Sequence, residues 1–129
     1  MIYEVSQRFY FEAAHTLDRK IDAASSKRVH GHTYQAEVTV SGPRNAASGM
    51  VLDLGELRRE IQLIRDVLDH SLLDEVSGLG PPTLENLCTF IAQRLQALRP
   101  PVTAVKVWRE ASGDSCVLRL QQASEFGRA

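Results

Sequence analysis

Residues 30–40, HGHTYQAEVTV, alternate along their whole length. His30, His32, Tyr34, Ala36, Val38 and Val40 have one parity, and Thr33, Gln35, Glu37 and Thr39 have the other. Side chains on a strand point to opposite faces in turn, so this stretch reads as a strand with one apolar face that opens on two histidines. Upstream, residues 2–15 repeat the pattern. Tyr3, Val5, Gln7, Phe9, Phe11, Ala13 and His15 share a face against Glu4, Ser6, Arg8 and Glu12, which predicts a first strand with His15 at the end of its inward side. Between the two, residues 17–29 (LDRKIDAASSKRV) lose the alternation and read as a loop. Ser41-Gly42-Pro43 ends the second strand, and residues 43–49 are rich in turn formers.

Downstream the period changes. Asp53 is placed to cap a helix, with Glu56 at the capping-box position, and Leu57, Ile61, Ile64 and Leu68 follow at helical spacing. Residues 69–82 read as a loop. Thr83 then caps a second helix, whose apolar face runs through Leu84, Leu87, Cys88, Ile91, Leu95 and Leu98 until Pro100-Pro101 stops it. Residues 102–110 and 116–122 read as two further strands joined by a hairpin connection, and the tail SEFGRA as frayed. The order β-β-α-α-β-β on short connections predicts one α+β domain over residues 1–129. Its four-stranded antiparallel sheet would carry two helices on one face, leaving the other face for an oligomer to cover.

Composition narrows the function. The chain has 129 residues, 43% hydrophobic and 24% charged, which is globular usage, and its formal charge of −1 argues against nucleic acid or acidic membranes as partners. No apolar run approaches a membrane span, and the charged, alternating first fifteen residues do not read as a secretory signal. Two cysteines, Cys88 and Cys116, form neither a disulfide framework nor a paired-Cys metal spacing, so a cytoplasmic setting is expected.

Histidines carry the chemistry, and there are four. His30 and His32 lie on one face of one strand, and His15 at the end of another strand could join them as a third metal ligand. Three histidines leave a coordination position open, as catalytic zinc requires. The plain alternative is a pair of strand-edge histidines bonded to backbone or water. His70 follows Asp69 just past the first helix, where it is either a residue stabilised by the helix dipole or a general acid-base with an orienting carboxylate. Glu110 ends a strand and is either an ordinary exposed carboxylate or a bidentate acceptor for a heterocycle's amidine edge. Lys27-Arg28 is either a solvated pair or a phosphate contact. Cys88 reads as core, Cys116 could face either way, and Trp108 reads as packing at a subunit contact rather than as a functional residue.

Together these residues resemble the 6-pyruvoyltetrahydropterin synthase / 6-carboxytetrahydropterin synthase family. The matching pieces are FYFEAAH (9–15), HGHTY (30–34), MVLDL (50–54), LDH (68–70) with LLD (72–74), PTLENL (82–87) and VKVWRE (105–110), in the family's order. The resemblance implies a T-fold whose trimers close into a barrel and stack into a hexamer, with active sites between subunits. It implies zinc on His15, His30 and His32, proton transfer by Asp69 and His70, and a pterin held by Glu110 with Thr83 and Glu85. The implied reaction converts 7,8-dihydroneopterin triphosphate to 6-carboxytetrahydropterin for queuosine, or to a 6-pyruvoyl product, with loss of triphosphate. In one position the chain departs from the family. The catalytic cysteine four residues before H-G-H is Ser26 here, with Asp18 and Asp22 further back in the loop. A serine hydroxyl is a far weaker acid than a thiol and needs its own base. The alternatives are His70 carrying the proton transfer alone, Cys116 standing in, altered chemistry on another dihydropterin, or a non-catalytic pterin- or zinc-binding protein.

Overall fold

A computed structural model describes residues 1–21 and 23–120. Asp22, residues 121 and 122 of the expected last strand, and the tail at 124–129 lie outside the described residues. Strands β1 (Tyr3–His15) and β2 (His30–Gly42) pair antiparallel over their full length, from Tyr3↔Gly42 to His15↔His30. Shifting the pairing by one residue would turn Phe9, Phe11, Tyr34 and Val38 to water and bury Arg8, Glu12 and Glu37 instead, so the alternation itself holds the register. Phe11 lies opposite Tyr34 in this ladder, both fully buried, their rings stacked with centroids 5.1 Å apart. Strand β4 (Val102–Arg109) pairs antiparallel with β2, and β5 (Asp114–Arg119) with β4.

The expected α+β class holds, but the sheet has five strands where four were expected, ordered β3-β1-β2-β4-β5. The added strand β3 (Ser71–Leu72) is two residues long and runs parallel to β1. Its cause is local. His70 takes a left-handed backbone, φ 58°, which turns the chain so that its N–H donates to the Glu12 carbonyl at 2.6 Å and residues 71 and 72 draw alongside β1. Two residues are too few to show any period.

Helix α2 (Leu54–Leu68) begins at Asp53, whose Oδ1 accepts from the Gly55 N–H at 2.8 Å. It buries Leu57, Ile61, Ile64 and Leu68 against β1. Helix α3 (Leu84–Arg94) begins at Thr83, whose Oγ1 accepts from the Asn86 N–H, and packs on β4 and β5. Leu95 and Leu98, expected inside this helix, follow its end and are buried all the same. One further helix, α1 (Ala23–Lys27), stands where a loop was expected. A helix of five residues does not hold itself together in water. This one is tied to the chain beyond β1 by the Leu17 N–H, which donates to the Ser26 carbonyl at 2.7 Å.

The core fills the space between the helices and one sheet face. The other face is polar and carries a small cluster. Arg8 Nε meets Glu37 Oε2 at 2.8 Å, Arg8 and Lys106 lie 5.6 and 4.9 Å from the Trp108 ring centroid, and the indole N–H donates to Glu110 Oε1 at 2.7 Å. Among the described residues no helix is long and apolar enough to cross a membrane. Removing the central stack tests this account of the core. Phe11→Ala is expected to cost about 3–5 kcal/mol in guanidinium chloride unfolding, as a lower midpoint at unchanged slope. A loss below about 1 kcal/mol would contradict it.

Candidate metal centre

The register that buries Phe11 and Tyr34 also decides where the histidines meet. His15 faces His30 at the last pair of the ladder, and His32 lies two residues along β2 on the same side. Ring centroids are 4.5 Å apart for His15–His30, 4.8 Å for His15–His32 and 4.9 Å for His30–His32, and one nitrogen from each lies within 4.8 Å of the other two.

The hydrogen bonds show what these rings can hold. His15 Nδ1 lies 3.0 Å from the Pro82 carbonyl and His30 Nδ1 lies 2.7 Å from the Arg28 carbonyl. A carbonyl only accepts, so both protons sit on Nδ1 and both Nε2 lone pairs are bare. His32 Nε2 is 3.0 Å from His15 Nε2, and an Arg109 Nη1–H faces it at 3.4 Å, which makes it an acceptor as well. Burial lowers the pKa of His15 and takes that of His32 down to about 4, and the Arg109 cation pushes both the same way. Neutral imidazoles whose lone pairs face one another repel unless a cation lies between them. With Nδ1 fixed by backbone carbonyls, the set suits a divalent metal ion with an open fourth position.

A cleft of about 490 Å³ opens beside the triad, lined by His15, Thr83, Glu85, Arg109, Asp114 and Cys116 among others. Thr83 and Glu85 therefore line the same cleft as His15. Glu110 does not. It is exposed in the turn after β4, and its carboxylate accepts from Trp108 on the face away from the triad. The residue that β4 does send into the cleft is Arg109, which sequence reasoning passed over. Its shared parity with Val105 and Val107 was the available signal. Arg109 Nη2 binds Asp114 Oδ2 at 2.7 Å, and Asp114 is its cross-strand partner. Ser26 is buried on α1 and does not itself line this cleft, although Leu17, which bonds its carbonyl, does. Cys88 is core, and Cys116 faces the cleft.

Asp69 and His70 do touch, Oδ2 to Nδ1 at 2.9 Å. The other oxygen of Asp69 accepts from the Glu12 N–H at 2.9 Å. That bond above all, with His70 and Arg65 beside it, holds the Asp69 carboxyl below the usual carboxylate range. His70 is exposed and borders a second cleft, about 570 Å³, whose floor includes Glu12, Ala14, Gly31 and Thr33. These have the parity opposite to His15, but Ala13 and the triad's own His32, which share its parity, line this cleft too, and no residue lines both clefts. Within one chain, then, the dyad's cleft and the cleft at His15 are separate, but His32 of the triad borders the dyad's cleft.

The family described as 6-pyruvoyl tetrahydropterin synthase matches residues 4–121. The chain belongs to that family. It is 31% identical over 102 residues to a 6-carboxy-5,6,7,8-tetrahydropterin synthase of Synechocystis sp., covering 75% of this chain and 78% of that protein. It is 32% identical over 127 residues to a dihydroneopterin monophosphate aldolase of Pyrococcus furiosus, covering 98% and 92%. Its fold matches the Caenorhabditis elegans 6-pyruvoyl tetrahydropterin synthase with a TM-score of 0.80 at 24% identity, over 94% of this chain and 97% of the other.

Two measurements check the site. Calorimetric titration of the metal-free protein with zinc is expected to show one ion bound per chain, weakened more than about 100-fold by His30→Ala. An unchanged affinity in that variant would place the ion elsewhere. Asp69 carries a pH prediction. Its pKa is depressed on folding, so its stabilisation is present above the ordinary value and is lost as pH falls through the lower folded one. Asp69→Asn should therefore flatten the fall in stability as pH drops below the ordinary carboxylate range.

Proposed function

We propose that this chain is a zinc-dependent pterin lyase that converts 7,8-dihydroneopterin triphosphate to 6-carboxytetrahydropterin, or to a 6-pyruvoyl product, with loss of triphosphate. The observation that carries this is the convergence of one ring nitrogen each from His15, His30 and His32 within 4.8 Å of one another, with two of the rings anchored to the Pro82 and Arg28 carbonyls. Zinc on His15, His30 and His32 would supply Lewis-acid polarisation of the substrate's side-chain oxygens.

The remaining work falls to the chain itself. Glu85, beside Thr83 in the triad cleft, offers a carboxylate that can accept two parallel N–H bonds from a pterin's amino-pyrimidinone edge. Asp69 Oδ2 accepts from His70 Nδ1–H, which leaves Nε2 to take a proton from the substrate carbon and return it later. The dyad's cleft and the cleft at His15 are separate within one chain, with His32 alone of the triad bordering the former. The family resemblance implies a hexamer of two stacked trimers in which the dyad of one copy would meet the triad of the next. Glu110 would reach a pterin only across such a contact. Ser26 would take a subordinate part, since its hydroxyl needs a base of its own. The setting we propose is cytoplasmic, in queuosine or pterin biosynthesis.

A second reading, side-chain cleavage of a different dihydropterin, is favoured by Ser26 and by the similarity to the Pyrococcus furiosus aldolase over nearly the whole chain. Products separate the two. Zinc-loaded protein given 7,8-dihydroneopterin triphosphate is expected to release acetaldehyde and 6-carboxytetrahydropterin, detected by mass spectrometry. His15→Ala should abolish turnover and His70→Ala should slow it by about 10²–10⁴-fold. Co-expression of these two variants should restore part of the activity, as only a site shared between copies allows. Cleavage of dihydroneopterin monophosphate with the triphosphate left intact would favour the second reading. Failure on both substrates would sink the lyase reading.

A further inference from the structure

The guanidinium of Arg109 lies in the triad cleft and has no part in the binding of a pterin edge proposed above. Its side chain is only 13% exposed, anchored through Nη2 to Asp114 Oδ2 at 2.7 Å. Nη1 rests 3.4 Å from His32 Nε2, and Nε is buried with no hydrogen-bond partner among the described residues. A buried N–H without an acceptor is costly, and arginine cannot relieve the cost by losing its proton.

The contact with His32 sharpens the argument. The Nε2 lone pair can accept from Arg109 or ligate an ion, but it cannot do both. Holding a metal on the triad therefore takes the His32 acceptor from Nη1–H, beside an Nε–H that has none. Charge points the same way. Asp114 offsets Arg109, and three imidazole ligands bring no negative charge to offset a divalent ion. The acceptor that satisfies both demands is an anionic oxygen, because charge-assisted bonds from arginine to carboxylate and phosphate are the strong ones.

We propose that Arg109 is an oxyanion receptor that selects the ligand taken beside the triad, favouring one that carries a carboxylate or a phosphate within reach of His32 over a neutral one. Asp114 positions the guanidinium by holding its far nitrogen across the β4–β5 pair. This specificity role rests on the triad holding a metal and is independent of which reaction follows.

Visible absorption of the cobalt(II)-loaded protein, titrated with acetate, inorganic phosphate or neutral imidazole, tests it. Arg109→Met is expected to weaken acetate or phosphate binding by about 10- to 100-fold and to leave imidazole binding unchanged. Arg109→Lys keeps the charge without the planar fork, and a loss of about 5-fold or more is expected there. It decides the matter should Arg109→Met fail to fold. The anion bound more tightly by the wild type identifies a carboxylate or a phosphate ester as the natural group, and either result supports the receptor. Equal anion affinity in wild type and variant overturns it, as does an equal loss for imidazole, which would mean general damage. Failure of the wild type to load cobalt overturns it together with the metal centre. Intact anion discrimination without turnover of any dihydropterin would sink the lyase reading alone.

Discussion

The register of β1 against β2 is the constraint on which the rest of the structure depends. Thirteen consecutive pairs run from Tyr3↔Gly42 to His15↔His30, and the same alternation that buries Phe11 against Tyr34 places His15, His30 and His32 on the inward side. The histidines need no separate device to find one another. They occupy the last inward positions of a ladder whose register the core has already settled. A change that weakened the core pairing would loosen the site in the same step, because both hang on one set of strand contacts.

A short segment of loop joins the site to the rest of the fold. The Pro82 carbonyl holds the His15 ring, and the next residue, Thr83, caps α3. Asn86 in the first turn of that helix donates from Nδ2 to the Pro81 carbonyl at 2.8 Å. Further along the same connection, Asp74 accepts from both the N–H and the hydroxyl of Thr16, directly after His15. The tautomer of a candidate ligand, the start of a helix and the end of a strand are thus set at one corner. Burial and the Arg109 cation then tune that corner, both lowering the pKa of His15 and His32.

Much of this was legible in the sequence because it rests on long periods. Period two marked β1 and β2 and the parity of the triad, and helical spacing after Asp53 and Thr83 marked α2 and α3. What escaped was short or depended on tertiary contact. Helix α1 exists by virtue of a bond to Leu17, and β3 by virtue of the left-handed turn at His70. The contact between Asp69 and His70 was open from sequence, since neighbours need not touch, and it is present. Glu110 drew attention by its residue type, yet the strand ends one residue earlier, so Arg109 faces the cleft and Glu110 turns away. Chain position decided which of two adjacent charged residues reached the histidines.

The cluster around Trp108 has a practical consequence. It is the chain's single tryptophan, and it sits on the uncovered sheet face with Arg8 and Lys106 against its ring and Glu110 on its N–H. Indole emission depends on nearby charges and on contact with water, so this ring is a built-in optical probe of that face. Its signal should change when the face is covered and stay nearly silent when the histidines on the other side change state. Assembly and site occupancy can then be followed in one cuvette as separate events.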